Sequence, residues 1–205
     1  MQKLFSKIDT SEVKALFDGL IYKNTILISG LVIAPVVVAA NSYRNALLLV
    51  IAFSAITFIT IMTASFIPKN IVYTIRIIIY AVIGAMVYLP TIILLEQIMP
   101  DALSDVGIYV PLLVANSLIV VKSETRFLKR SKGYMMLDVI SYIMGFNVVI
   151  LIVGIVRDLF ANSMLMGHNV NVSIQIPAMA APFGGFIFLG LFAALYRYIL
   201  NKLKE

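Results

Sequence analysis

The chain has 205 residues, of which 61% are hydrophobic and only 13% are charged, with a mean hydropathy of +1.02 and a net charge of +6. Soluble globular proteins are about 45–50% apolar and about 25% charged, so this composition excludes a soluble domain and indicates a polytopic membrane protein. The absence of cysteine excludes disulfides, thiol catalysis and any iron–sulfur centre ligated by this chain's own thiolates.

Residues 1–23 mix acidic residues with lysines and lack the continuous apolar core of a signal peptide. Val13, Leu16, Phe17 and Leu20 recur within them at helical spacing. This spacing predicts an amphipathic helix that lies on the membrane surface. A helix that docks a soluble partner would show the same pattern, and that alternative stays open.

Six apolar segments follow, and they cover residues 24–42, 45–66, 71–95, 107–121, 134–157 and 177–200. Because the connections between them are short, residues 1–205 are predicted to form a single integral membrane domain, with the six segments in residues 24–200. The fourth segment would reach only about 22 Å as a helix, which is shorter than a hydrocarbon core of about 30 Å. It is therefore predicted to be tilted or broken.

Segments one and four share a motif in which a proline interrupts an apolar stretch that ends in Asn-Ser. Residues 34–42 read APVVVAANS, and residues 110–117 read VPLLVANS. A pair of interrupted segments at matching places in two halves is typical of inverted-repeat membrane proteins with a site at the midplane. The residues that the motif assigns to such a site are Pro35, Asn41, Ser42, Pro111, Asn116 and Ser117.

Six segments divide into three plus three, and an odd number per half inverts the second half relative to the first. The predicted fold is therefore an all-α membrane protein with six transmembrane segments in two inverted three-helix repeats. Segments one and four are the ones interrupted by proline.

Few other polar residues lie within the spans. Asn147 lies in the middle of segment five, and Thr57, Thr60 and Thr63 follow helical spacing in segment two. Intramembrane polar groups are functional candidates, but threonines also bond to their own helix and asparagines also join neighbouring helices. We favour the structural role for the threonines, while both roles stay open for Asn41 and Asn116.

The basic residues predict the orientation of the chain. Of the 16 lysines and arginines, all but Arg44 and Arg157 fall on the side of the two termini, if Arg76 is counted as snorkelling to that side. The positive-inside rule then places both termini in the cytoplasm, with the chain in the inner or plasma membrane of a prokaryotic cell. Anionic lipid accounts for the net positive charge, and no nucleic-acid partner is required.

Several stretches of the chain together resemble one family of membrane subunits. The strongest match is GIYVPLLVAN at residues 107–116, and GIVRDL at 154–159 and PFGGFIFLG at 182–190 continue it. Residues 20–49 and 67–80 also carry the pattern. Over about residues 18–200 the chain resembles the D/E-type membrane subunits of the Rnf and Nqr complexes.

The resemblance implies a place in a complex that moves electrons from reduced ferredoxin or NADH and couples this to sodium or proton export. In that family, two paralogous subunits of opposite topology pair, and four cysteines from the pair hold an iron–sulfur centre at mid-membrane. The family's cysteine positions are occupied here by Ala34 and Ser117. Alanine cannot ligate iron and serine is a poor substitute for a thiolate. We therefore expect no [2Fe–2S] centre on this chain alone, no catalytic residue and no metal site.

Three interpretations remain open from the sequence. The first is a divergent or accessory, non-catalytic subunit of an Rnf/Nqr-like oxidoreductase, with structural or ion-path duties. The second is a stand-alone inverted-repeat carrier or channel that binds a small solute or ion at the two proline motifs. The third is a chain engineered to remove cysteine.

Overall fold

The computed structural model describes residues 18–170, 172 and 175–203. Its helices are α1 (Tyr43–Ala64), α2 (Tyr73–Ile98), α3 (Pro100–Val106), α4 (Ser123–Thr125), α5 (Lys132–Asn162) and α6 (Pro182–Lys202). Shorter helical turns cover Asp18–Tyr22, Pro35–Ala39, Gly107–Tyr109, Pro111–Ala115, Leu118–Lys122, Phe127–Lys129 and Pro177–Met179. A hairpin of two short antiparallel strands, β1 (Met164–Leu165) and β2 (His168–Asn169), follows α5.

Four of these helices are long and apolar enough to cross a membrane. They are α1, α2, α5 and α6, and they correspond to predicted segments two, three, five and six. The helical stretches Pro100–Tyr109 and Pro111–Lys129, bent by 48° against each other, pass the same test as a pair and raise the number of candidate spans to five. The prediction of a helical, multi-pass membrane protein is confirmed at this level.

Predicted segment one, residues 24–42, is not among the candidate spans within the described part of the chain. Gly30 and Val32 have φ angles of +64° and +59°, in the left-handed region that no α-helix uses. Pro35 then opens only the short turn Pro35–Ala39. The break anticipated from the proline is therefore wider than one residue, because the backbone leaves the helical conformation before the proline is reached.

The centre of the structure is the pair α1 and α5. Half of the apolar stretch of each is buried, against 17% for α2 and 22% for α6. The rings of Phe53 and Phe146 stack across this pair with their centroids 3.7 Å apart. Further along, the Cα of Gly154 is so close to α1 that an added Cβ would lie 2.4 Å from the Cβ of Ala46. Helices α2 and α6 lie outside this centre and expose apolar side chains as lipid-facing helices do.

Most of the predicted amphipathic helix lies outside the described residues, which begin at position 18. Its end, the turn Asp18–Tyr22, packs against α5. The approach is close, since a Cβ on Gly145 would lie 2.3 Å from the carbonyl oxygen of Gly19. This last turn is therefore anchored to the helix bundle.

Candidate functional site in the two interrupted segments

Segment one is held by two arginines that bind its free carbonyl groups. Arg197 of α6 donates from Nε to the oxygen of Leu27 (3.1 Å) and from Nη2 to that of Ile28 (3.0 Å). Arg157 of α5 donates from Nη1 to the oxygens of Val37 (2.6 Å) and Ala40 (3.0 Å). Backbone that leaves the helical conformation inside a membrane needs such partners, because lipid offers none.

Arg157 also binds the chain that leads into α6. Its Nε donates to the oxygen of Met179 (2.8 Å), and its Nη2 donates to those of Ala180 (3.0 Å) and Ala181 (3.2 Å). The side chain is fully buried, and no ion pair involves it among the described residues. An arginine presents five N–H donors, so five backbone carbonyls saturate it. The charge pattern assigned Arg157 to the outer side of the membrane. In the structure it is buried and joins segment one to the chain that leads into α6.

Asn116 stabilises the break in segment four. Its Oδ1 accepts hydrogen bonds from the amides of Leu118 (2.9 Å) and Ile119 (3.1 Å) and so caps the next helical turn. Its Nδ2 donates back to the oxygen of Leu113 (2.7 Å) and across to Oγ1 of Thr57 on α1 (3.0 Å). All four polar contacts of this buried amide are therefore satisfied.

Asn24 makes the same kinds of contact at the beginning of segment one. Its Oδ1 accepts from the amides of Ile26 (3.0 Å) and Leu27 (3.1 Å). Its Nδ2 donates back to the oxygen of Leu20 (3.3 Å) and across to that of Gly145 on α5 (2.9 Å). Asn24 was not among the residues singled out for the site, although an amide that directly precedes an apolar run is a helix N-cap signal.

Two glycines allow the outer helices to approach the interrupted segments. A Cβ added to Gly84 of α2 would lie 2.9 Å from the oxygen of Val114 in segment four. A Cβ added to Gly185 of α6 would lie 2.7 Å from the oxygen of Val37 in segment one. Each interrupted segment is thus contacted by one long helix from the other half of the sequence at a glycine.

Ser42, Asn41 and Asn147 make their side-chain hydrogen bonds to residues other than Asn116. Ser42 is the N-cap of α1, where its Oγ accepts from the amide of Asn45 (3.2 Å). Asn41 accepts from Nδ2 of Asn45 (2.9 Å). Asn147 donates to Oγ of Ser54 (2.8 Å) and so links α5 to α1, while its Oδ1 is buried without a partner among the described residues. Asn41 and Asn116 therefore have different hydrogen-bonding roles.

The three threonines of α1 differ in their hydrogen bonds. Thr63 donates to the oxygen of Ile59 in its own helix (2.8 Å), as expected for a structural threonine. Thr57 instead accepts from Asn116 across to segment four. The hydroxyl of Thr60 is buried and has no partner within the described ranges.

Corresponding residues of the two proline motifs differ in their solvent exposure. Pro35 is buried and Pro111 is exposed, while Ala34 is exposed and Ser117 is half-buried. The residues at these positions do not fit an iron–sulfur centre, because a methyl group and a hydroxyl stand where thiolates would be needed and the chain has no cysteine. Within the described residues, no group of three or more His, Asp or Glu side chains is placed to hold a metal ion.

Charged residues link the turn that precedes segment one to the chain that follows segment four, at the end where α5 begins. The buried Asp138 of α5 accepts two hydrogen bonds from Arg126, from Nε (2.6 Å) and Nη2 (2.9 Å). Arg126 also donates from Nη1 to Asp18 (3.0 Å), which accepts a further bond from Lys23 (2.8 Å). Burial works against the ionised form of Asp18, but these two cations hold its pKa below the usual value.

Comparison with known proteins agrees with this architecture. The family described as "Rnf-Nqr subunit, membrane protein" matches residues 12–193. The chain is 27% identical over 197 residues to the D-type subunit of the Na(+)-translocating NADH-quinone reductase of Pseudoalteromonas translucida, covering 92% of this chain and 94% of that protein. It is 28% identical over 211 residues to the E-type subunit of the ion-translocating oxidoreductase complex of Salmonella paratyphi B, covering 95% and 92%. The chain belongs to the Rnf-Nqr family of membrane subunits.

Proposed function

We propose that this chain is a membrane subunit of an Rnf/Nqr-like ion-translocating electron transport complex, and that its role there is structural. The observation that carries the proposal is the pair of interrupted segments, each capped by a buried asparagine and bound by helices from the other half of the chain. The names of the relatives support the kind of complex.

The same contacts support an inverted repeat with segments one and four as equivalent elements. In this arrangement α1 corresponds to α5, and α2 corresponds to α6. Asn24 then bonds to α5 as Asn116 bonds to α1, and Gly185 approaches segment one as Gly84 approaches segment four. Segment one counts as the sixth crossing, a broken one whose carbonyls are bound by Arg157 and Arg197. A two-fold axis in the membrane plane relates the two halves.

The chain contributes no redox centre of its own in this proposal. Ala34 and Ser117 cannot replace the thiolates that the family places there, so we derive no electron transfer step through this protein. Purified protein is expected to contain no stoichiometric iron by elemental analysis and to give no cluster signal by electron paramagnetic resonance. Stoichiometric iron on this chain alone would contradict the proposal.

The partner in this proposal is a paralogous membrane subunit of opposite topology. Ala34 and Ala115 are exposed small residues within the two proline motifs, and small residues allow a second helix bundle to approach closely. The charge bias of the sequence predicts that both termini are cytoplasmic, and the proposed six crossings are consistent with this.

The test compares two substitutions that introduce the same side chain on different surfaces. Ala115→Phe fills the proposed contact, and Leu191→Phe alters the exposed face of α6. Each tagged variant is extracted from native membranes in a gentle detergent and analysed by size and by mass spectrometry. We expect wild type and Leu191→Phe to carry other Rnf/Nqr-like subunits and Ala115→Phe to lose them.

The stand-alone carrier is the outcome that would replace this proposal. It would follow if the wild-type chain migrates as a monomer from native membranes and still supports its host's phenotype. Equal assembly of Ala115→Phe and wild type would refute the location of the contact without refuting the complex.

A further inference from the structure

A basic pocket lies where α1 ends and where α2 and α5 begin. Its volume is about 340 Å³. Its charged lining residues are Lys69, Arg76, Glu124, Lys129, Arg130 and Lys132. Five of these side chains are cationic and one is a carboxylate, so the pocket carries an excess of positive charge.

The carboxylate in the pocket is already paired with a cation of this chain. Glu124 accepts a hydrogen bond from Nη2 of Arg76 (2.6 Å) and another from the hydroxyl of Tyr80. The Nε of Arg76 is buried and has no partner among the described residues. Arg76 lines the pocket, so within the described part of the chain its guanidinium group keeps one unpaired donor next to the cavity.

Two of the other cations are also available to a ligand. Lys69 and Lys129 are exposed, and no salt bridge within the described part of the chain involves either of them. The N-termini of α2 and α5, at Tyr73 and Lys132, have no side-chain cap. Uncapped helix N-termini add partial positive charge, which reinforces the attraction of the side chains for an anion.

An apolar ring lies against one of the lysines that line the pocket, and further apolar side chains are exposed at the start of α2. The ammonium group of Lys132 lies 4.1 Å from the centre of the Phe66 ring, and Phe66 itself is 73% exposed. Val72 and Tyr73 at the start of α2 are exposed as well. Apolar groups beside cations at the ends of membrane helices are typical of the interface where lipid headgroups lie.

We propose that this pocket binds a phosphate group, with Lys69, Arg76 and Lys129 as its donors. The phosphate can belong to an anionic phospholipid in the membrane or to a small phosphorylated solute, and the chemistry at the pocket is the same. This site is independent of the two interrupted segments, so its failure would leave the proposed function unaffected.

The test uses the purified full-length chain with phosphatidylglycerol, phosphatidylcholine and inorganic phosphate as probes. The variant Lys69→Gln/Lys129→Gln removes two charges from the pocket. The control Lys202→Gln/Lys204→Gln removes two charges near the C-terminus of the chain. The variant Lys69→Arg/Lys129→Arg keeps the pocket charge and shows whether binding follows charge. Native mass spectrometry measures retained lipid, and thermal unfolding measures stabilisation by phosphate.

We expect wild type to retain phosphatidylglycerol in preference to phosphatidylcholine. Each basic residue near anionic lipid contributes roughly fivefold in affinity, so the Gln pocket variant should bind about 10- to 30-fold more weakly. The arginine variant and the C-terminal control should stay close to wild type. If inorganic phosphate stabilises wild type but not the Gln variant, while lipid retention is equal, the phosphate comes from a soluble ligand.

Three results would overturn the proposal. The first is equal retention of lipid and equal response to phosphate in wild type and the Gln pocket variant. The second is an equal loss in the pocket variant and the C-terminal control, which would indicate general surface charge. The third is a pocket variant that keeps its phosphate ligands but no longer co-purifies other subunits, which would make the pocket a protein contact.

Discussion

Asn24 and Asn116 make the same set of hydrogen bonds at the beginning of segment one and within segment four. Each accepts from the amides two and three residues ahead, donates back to the preceding turn and donates across to a long helix. The partner helix is α5 for Asn24 and α1 for Asn116. The two amides therefore tie each interrupted segment to the central helix pair.

We predict that both asparagines are required for stability to a similar degree. Asn24→Ala and Asn116→Ala each leave buried backbone groups without partners, at a cost of about 1–3 kcal/mol. Thermal unfolding in detergent should show a similar decrease for the two variants. The control Asn169→Ala, in the exposed strand β2, should unfold like wild type. Wild-type stability of either buried variant would contradict the shared role.

Substitution of Arg157 should be more damaging than that of any single asparagine. Arg157→Met removes the side-chain donor of five carbonyl groups, of which only that of Ala181 keeps a backbone bond, from the amide of Gly185 (3.2 Å), among the described residues. Each buried group left unpaired costs roughly 1–3 kcal/mol. We expect little folded protein to be recovered, as judged by size-exclusion chromatography. Arg157→Lys, which keeps three donors, should recover part of it.

Arg44 supplies the matched control for Arg157. It is exposed and pairs only with the exposed Asp101 (3.1 Å) among the described residues. Exposed pairs of this kind contribute roughly 0–1 kcal/mol, so Arg44→Met should yield folded protein at the wild-type level. If Arg157→Met and Arg44→Met give the same yield of folded protein, the structural role assigned to Arg157 is wrong.

The close approach of the turn Asp18–Tyr22 to α5 predicts opposite effects for two glycine substitutions. Gly145→Ala would place a Cβ 2.3 Å from the oxygen of Gly19, and overpacking of this kind costs typically 1–3 kcal/mol. Gly190→Ala in α6 meets no atom within 4 Å, so the better helix propensity of alanine should leave stability unchanged or raise it by up to about 1 kcal/mol. Thermal unfolding of the two variants side by side distinguishes these effects. Equal destabilisation of both would contradict the packing at Gly145.

The orientation of the chain can be measured by cysteine labelling, because the protein has no native cysteine. Lys129→Cys and Asp101→Cys introduce single thiols at exposed positions that the charge bias places on opposite sides. A membrane-impermeant maleimide added to intact cells should label position 101 and not position 129. Labelling of position 129 from outside would refute the predicted topology.

The long helices could be predicted from the sequence because each is a continuous apolar run of about 20 residues, and such a run has few alternatives to a spanning helix. Their ends agree with the predicted segments to within about five residues, since charged and loop-forming residues flank the runs. The break in segment one was only partly predictable. Pro35 marked it, but the left-handed conformation of Val32 is disfavoured for a β-branched residue and depends on tertiary contacts.

The candidate site was less predictable than the fold because its contacts join distant positions. The motif paired Asn41 with Asn116, but the amide with the hydrogen bonds of Asn116 is Asn24, whose partner Gly145 lies 121 positions away. Arg157 was counted as a charge of the outer side from its position in the sequence. Its carbonyl partners could not be predicted, because they come from two separate segments. Local patterns contain no information about such partners.

Electron cryo-microscopy of the complex isolated through a tag on this chain would test the central claim most directly. The account predicts that the chain lies beside a second Rnf/Nqr-like membrane subunit. It also predicts that Pro35 and Pro111 lie near the bilayer midplane, and that Ala34 and Ser117 bind no iron. A chain that stands alone, or whose two prolines lie at opposite membrane surfaces, would contradict it.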